Sequence, residues 1–393
     1  MKLENIPDAL DRLRRQGMFR TVKDLKMKTA VCGEDHQGHS YIVFASNDYL
    51  GLSHHPAVLE AERSGSCCGA GSGGSRLTSG ASFALHDLEL EIARFKHQPA
   101  ALVFNTGYMA NTGVLSALAG EGDVIFSDSL NHASIVDGCR LSRAQTVIYP
   151  HADMEQLEQK LRETPCRGQR FIMTDGVFSM DGDIAPLPAL VRLKHLYHAC
   201  LLVDDAHATG VIGDRGEGSL SYCHLQKGVD VQIGTLSKAL GAQGGYAASS
   251  REVIDYLKNY SRPFIFSTAL PPGTAAAALC SLHILEEQGT EYLQKLHSNT
   301  QYMRKRLTEA GLPLIPGETP ILPVIMGDPQ AAAAYGEQCR QRGIWVSAIR
   351  PPSVPAGASR IRITVTADHQ EDQLEKAAHI LIQCWEQRVC DQS

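Results

Sequence analysis

Apolar residues fall into two textures along this chain. Between about residues 100 and 250, short and nearly continuous apolar runs alternate with stretches of helical periodicity. The runs lie at 101–104, 124–126, 146–149, 171–173, 201–203 and 231–233, with helical patterns at 107–119, 153–163 and 186–198 among them. A strand that is apolar at every position must be covered on both faces, as strands of a parallel sheet under two helical layers are. The alternation therefore predicts a three-layer α/β domain with a mostly parallel sheet. After about 270 the texture changes. Helical patterns at 272–288 and 290–310 precede a strand at 321–325 and a helix at 329–342. Strands at 344–346 and 360–365 and a last helix from about 368 complete the chain. This reads as a smaller α+β domain. The expected division is an N-terminal segment 1–45, a large domain 46–278 and a small C-terminal domain 279–393.

Composition narrows the class. The 393 residues are 43% hydrophobic and 20% charged, an ordinary balance for a globular protein. The net charge of −6, with no long basic run, argues against a nucleic-acid surface. No apolar stretch approaches the roughly 20 residues that span a bilayer, and the start of the chain reads as an amphipathic polar segment rather than a signal peptide. The 11 cysteines are irregularly spaced and form no CxxC pair. That argues against a disulfide framework or structural zinc and favours a reducing cytoplasm.

The strongest chemical signal is Gly234-Thr-Leu-Ser-Lys238-Ala-Leu-Gly241, followed by Gln243-Gly-Gly245. A lysine just past a buried strand is partly shielded, which favours the neutral, nucleophilic amine. Thr235, Ser237 and the glycine amides beside it suit a phosphate, although a surface lysine on a loop has the same spelling. A second segment, Leu201-Leu-Val-Asp204-Asp205-Ala-His207, ends an apolar strand in two carboxylates, where open α/β sheets place their sites. A carboxylate there can keep a pyridinium nitrogen protonated, and the same residues would also suit a divalent ion or a helix cap. In Phe104-Asn-Thr-Gly107-Tyr108-Met-Ala-Asn111 a strand turns into a helix whose free amides can bind phosphate. Tyr108 would cover an aromatic ring or fill the core. His132, in Asp128-Ser-Leu-Asn-His132-Ala-Ser134, begins a helix and would stack on a flat cofactor or cap the helix.

Two patterns are set aside. Asp175 to Asp183 resembles part of a calcium loop but lacks its closing Glu. Gly69-Ala-Gly-Ser-Gly-Gly74 matches a dinucleotide fingerprint, but no strand precedes it and Glu89 and Glu91 lie in a helical pattern. The segment reads instead as a flexible loop near a site.

Six motifs in order resemble the α-oxoamine synthases, a pyridoxal 5′-phosphate (PLP) dependent family, across nearly the whole chain. They are Ser46-Asn-Asp-Tyr-Leu-Gly-Leu52, Gly71-Ser-Gly-Gly-Ser-Arg76, Ser129-Leu-Asn-His-Ala-Ser134, Asp175-Gly-Val-Phe-Ser-Met-Asp-Gly-Asp183, Val203-Asp-Asp-Ala-His207 and Thr235-Leu-Ser-Lys238. The resemblance implies fold type I of the PLP-dependent transferases, aspartate-aminotransferase-like, and a cytoplasmic homodimer. It implies that Lys238 holds the cofactor covalently, that Asp204 pairs with the ring nitrogen, and that His207 meets the ring hydroxyl while His132 stacks on the ring. Gly107, Tyr108, Ser179 and Thr235 would surround the cofactor, and Thr268 would reach the phosphate of a partner subunit. Arg362 would take the substrate carboxylate, with His132, Arg20 and Ser353 also touching substrate and no metal involved. The stretch Ala348-Ile-Arg-Pro-Pro-Ser353-Val-Pro-Ala-Gly357 is similar to the branch that joins L-alanine to a pimeloyl thioester, on CoA or acyl carrier protein, in biotin synthesis. Sister enzymes using glycine and a short acyl-CoA usually differ there. The chain departs from its relatives at Ser353, where threonine is common, and at Ala208 and Ser237, where glycine often stands.

Overall fold

A computed structural model describes residues 3–392; Met1, Lys2 and Ser393, at the outer ends of the expected N-terminal segment and small domain, lie outside the described residues. The chain divides into two compact units, one of Leu52–Ser179 with Asp183–Gln294, the other of Met1–Gly51, Met180–Gly182 and Lys295–Ser393.

The first unit is built on a seven-stranded sheet. Its strands lie in the order Ala100–Phe104, Gly245–Ser249, Val231–Thr235, Ala199–Asp204, Arg170–Asp175, Val124–Asp128 and Gln145–Tyr149. Gly245–Ser249 runs antiparallel to both neighbours, and the other pairings are parallel. Because side chains alternate across a strand, each run feeds two cores. Ile125, Phe171, Met173 and Leu202 pack with Val114, Leu115 and Ile135 of the helices Gly107–Leu118 and Ala133–Ser142. Phe126, Ile172, Leu201 and Val203 pack with Leu157, Leu190 and Leu193 of the helices Met154–Glu163 and Leu187–Leu196. The six apolar runs are thus six of the seven strands. The seventh, Gly-Tyr-Ala-Ala-Ser at Gly245–Ser249, is fully buried but made mostly of small residues with little strand preference, so no run announces it.

Parallel strands bring their C-terminal ends to one edge of the sheet. Asp175 and Asp204 are register partners at the ends of adjacent strands. The turn after Asp204 is tied to the next strand of the same sheet: the Asp205 amide donates to Ile233 O at 2.8 Å.

In the second unit, Ile321–Gly327, Ser359–Thr364 and Ser347–Ile349 form an antiparallel sheet, while Lys26–Met27, Cys32–Glu34, Ser40–Val43 and Ile344–Trp345 form another. The helices Pro329–Gln341 and Glu371–Gln392 cover an apolar core that includes Tyr335, Ile361, Ile363 and Leu381. The expected helices at 272–288 and 290–310 are one continuous helix, Pro272–Glu309. Gly289 weakens such a helix by about 1 kcal/mol relative to alanine without ending it. A glycine suits that position because a Cβ there would meet the Arg215 backbone. Among the described residues no helix is long and apolar enough to cross a membrane.

Candidate active site

The strand Ala199–Asp204 delivers Asp204 to the sheet edge, where it is only 4% exposed. Its Oδ2 accepts from Asn111 Nδ2 at 2.6 Å and its Oδ1 from the Ala206 amide at 2.9 Å. Both donors are neutral. A buried carboxylate held this way suits a cation such as a protonated ring nitrogen. Beside it, Asp175 accepts from the His132 amide at 2.8 Å. Burial, and then the charge of Asp204, push the Asp175 carboxyl well above the usual carboxylate range. The crowding of the two carboxyls thus favours the neutral form of Asp175.

His132 is both things its position offered. It caps the helix Ala133–Ser142, its Nδ1 accepting from the Ser134 amide at 3.3 Å, and its partly exposed ring sits at the same edge. Desolvation lowers its pKa, Asp204 pulls it up and Lys238 pushes it down, with a net lowering. Lys238 also acts electrostatically on Asp175, so the fold gathers Lys238, His132, Asp175 and Asp204 into one site. His207, buried in the turn after Asp204, belongs to the same edge.

Lys238 is half-buried in a turn that its neighbours close. Thr235 Oγ1 and Ser237 Oγ both donate to Gly244 O, at 2.8 and 3.2 Å, and Thr235 Oγ1 accepts from the Ser237 amide. The helix Gly107–Leu118 starts against this turn: a Cβ on Gly107 would lie 3.3 Å from Thr235 Oγ1. Thr106 caps that helix through the Met109 amide at 3.0 Å. Amides at such a helix start, next to a hydroxyl and a lysine, fit the phosphate of PLP. Tyr108 is 44% exposed rather than core, with its ring edge-on to His132 at 6.3 Å and its hydroxyl on Asp137. Ser179 is half-buried in the loop after Asp175.

The glycine loop follows the helix Pro56–Ser66, not a strand, and enters no helix before Phe83. It is tied down beside Thr268: Ser75 bridges to Thr268, Gly74 O accepts the Ala269 amide, and Ser72 Oγ donates to Ala269 O at 2.8 Å. Asn105 Nδ2 donates to Thr268 O at 2.6 Å, and Thr268 itself is exposed. Glu89 anchors structure, pairing with Arg76 at 2.8 Å and accepting the Val103 amide.

Arg362, Arg20 and Ser353 belong to the second unit. Arg362 is 4% exposed on Ser359–Thr364, and its guanidinium donates to Asn47 Oδ1 and Thr364 Oγ1, each at 2.9 Å, and to Tyr49 Oη at 3.2 Å. These acceptors orient the planar fork, a shape that suits bidentate contact with a carboxylate. Arg20 donates to Pro351 O at 3.1 Å and so shares the exposed 350–353 turn with Ser353.

Sequence reasoning gave no role to Asn111, Ser134 or Asp175, although all three stand in the quoted motifs. It also missed Lys96, buried with Asp205 at 2.8 Å and hydrogen-bonded to Thr209 Oγ1 and Glu217 O. No local pattern marks Lys96, since its partners lie more than 100 residues away.

The aminotransferase class I and II family model matches residues 39–381. A putative 8-amino-7-oxononanoate synthase of Syntrophotalea carbinolica is 48% identical, covering 97% of this chain and 98% of its own. The 8-amino-7-oxononanoate synthase of Citrifermentans bemidjiense is 46% identical over the same shares. Among solved structures, a serine palmitoyltransferase variant from S. paucimobilis with bound PLP–myriocin superposes with a TM-score of 0.93 at 29% identity, covering 98% of this chain and 99% of its own. The fold is that of the PLP-dependent transferases of fold type I, and the buried Asp204, the shielded Lys238 and the Gly107 helix start fit that cofactor. The chain belongs to the 8-amino-7-oxononanoate synthases, PLP-dependent acyltransferases within the class I and II aminotransferase family.

Proposed function

We propose that this chain joins L-alanine to a pimeloyl thioester, carried on CoA or on an acyl carrier protein, to give 8-amino-7-oxononanoate, CO2 and the free thiol. The observation that carries this reading is 48% identity, across 97% of the chain, to a relative named for that product. The thioester C–S bond breaks, a C–C bond forms between alanine Cα and the acyl carbon, and the alanine carboxylate leaves as CO2. Bound PLP supplies the electron sink for the charge left on Cα. Lys238 anchors the cofactor, and its released amine takes the Cα proton and later returns one. Asp204 keeps the ring nitrogen protonated, His132 lies on the ring and against the substrate, and His207 meets the ring hydroxyl. Gly107, Tyr108, Ser179 and Thr235 line the cofactor. Arg362 takes the alanine carboxylate, and Arg20 and Ser353 touch the acyl substrate.

The working unit in this reading is a homodimer in which Thr268 serves the partner's phosphate. The exposed Phe266 (69%), two residues from Thr268, and Leu77, two residues from the Ser75 that bridges to Thr268, support a covered face there. Light scattering on the purified protein should give twice the chain mass; a monomer that turns over at full rate excludes this arrangement.

Incubation of the holoenzyme with pimeloyl-CoA or a short acyl-CoA, each with L-alanine or glycine, tests the reaction, read by product mass. Product from alanine, and none once Lys238→Ala is made, is expected. Product built from glycine and a short acyl-CoA instead would move the chain to a sister activity.

A further inference from the structure

Asn111 lies on the helix Gly107–Leu118, 1% exposed, with no apparent reason in helix packing for a polar side chain there. Its Nδ2 has two protons and two acceptors: Asp204 Oδ2 at 2.6 Å and Ser134 Oγ at 2.9 Å. The orientation of the amide is set by charge, because turning it over would place Oδ1 against the Asp204 carboxylate. With Nδ2 so placed, Oδ1 is buried without a hydrogen-bond partner. A buried carbonyl left without a partner is costly, so an arrangement that tolerates one must be holding something.

The directions of the bonds follow in sequence. Ser134 Oγ accepts from Asn111, so its own proton is free to go to the other atom within reach, His132 Nδ1, at 2.7 Å. The Ser134 amide also donates to that Nδ1 at 3.3 Å. An imidazole nitrogen that accepts twice carries no proton, and the ring proton then sits on Nε2. We propose that Asn111 and Ser134 form a one-way hydrogen-bond relay that positions Asp204 and fixes His132 as the neutral tautomer protonated on Nε2. Asn111 and Ser134 are positioning residues: they act through Asp204 and His132. The relay couples the carboxylate expected at the ring nitrogen to the imidazole expected on the ring face. The charged or titratable groups around His132 include Asp204, Lys238, Asp175, whose carboxyl holds the His132 amide, and Tyr108, whose ring meets the imidazole edge-on. The inference rests on PLP dependence and not on the choice of substrates.

Nitrogen-15 NMR of histidine-labelled holoenzyme reads the tautomer directly, with the His132 signals identified by their loss in His132→Gln. A proton on Nε2 and a bare Nδ1 from pH 6 to 9 are expected. The bound cofactor's visible absorbance, titrated with pH, reads the Asp204 end. Asn111→Leu should displace that titration and weaken PLP binding about tenfold, one lost hydrogen bond to a charged group. Ser134→Ala, which leaves the Asn111–Asp204 bond in place, should move the His132 nitrogen shifts while changing PLP affinity less. Both readouts need no turnover, so a wrong substrate assignment leaves them intact. A proton on Nδ1 in the wild type overturns the relay. So does wild-type cofactor titration and affinity in folded Asn111→Leu together with unmoved His132 shifts in Ser134→Ala.

Discussion

Lys96 and Asp205 show how a single pair can brace a site without touching the chemistry. Both side chains are almost wholly buried, at 1% and 0% exposure. Burial works against the Lys96 charge, and Asp205 beside it more than restores it. Ser219 donates to the same carboxylate, so the turn that carries His207 is roped at both ends. Removing one partner strands the other charge, whereas replacing both by apolar groups does not. Lys96→Met should cost about 3–5 kcal/mol in urea unfolding, and the double change Lys96→Met, Asp205→Leu should recover much of it. Arg362 poses a different question, one of shape. Lysine there keeps the charge but loses the planar fork. Arg362→Lys should lower kcat/KM for L-alanine by roughly 10–100-fold, the worth of one hydrogen bond to a charged group, with the cofactor absorbance unchanged. Asp204, Lys238 and His132 could be singled out because each stands in a motif with a chemical rationale, whereas Arg362 was singled out only through the family resemblance. Lys96 was not, because it is paired only through the fold.

The helix Gly107–Leu118 meets the sheet through absent side chains as much as present ones. A Cβ on Gly245 would come within 2.6 Å of the Gly107 backbone nitrogen, so the helix start rests directly on the strand Gly245–Ser249. Gly245→Ala should push the 106–107 turn away and weaken PLP binding by more than tenfold, measured by equilibrium dialysis, with circular dichroism near wild type. The closeness that makes this strand useful also hid it: small residues allow the helix to approach and leave no apolar run. The reverse holds for Pro272–Glu309, where Gly289 reads as a break but costs a stable helix too little to end it.

The protein as a whole carries two histidines with opposite pH signatures. His369, stacked on Phe44 at 4.0 Å, is pushed down to about 3 by burial. The unfolded chain binds its proton below about 6.5 and the folded chain does not, so stability falls as pH drops from about 6.5 toward 3. His151 is desolvated, yet its hydrogen bonds to Asp128 at 3.0 Å and Asp183 at 2.9 Å hold it up to about 10. Its contribution is complete below about 6.5 and is lost as pH rises toward 10. Unfolding free energy should therefore decline on both sides of neutrality. His369→Gln should flatten the acid limb and His151→Gln the alkaline limb, each relative to wild type by about one proton's slope in denaturant titrations at fixed pH steps.

What the sequence alone determined was what repeats locally: six runs apolar on both faces, helical periods between them, and motifs ending those runs. All three follow from short-range rules, since a strand under two helical layers has no polar face, a covering helix repeats every 3.6 residues, and a site at a sheet edge sits where a strand stops. The tertiary structure decided what depends on distant partners. It inserted Gly245–Ser249 into the sheet, paired Lys96 with Asp205, pushed the Asp175 carboxyl's pKa up beside Asp204, and turned Asn111 into a donor for Asp204. Each of these is set by desolvation and by a neighbour brought close through folding, and neither is written in the residues on either side.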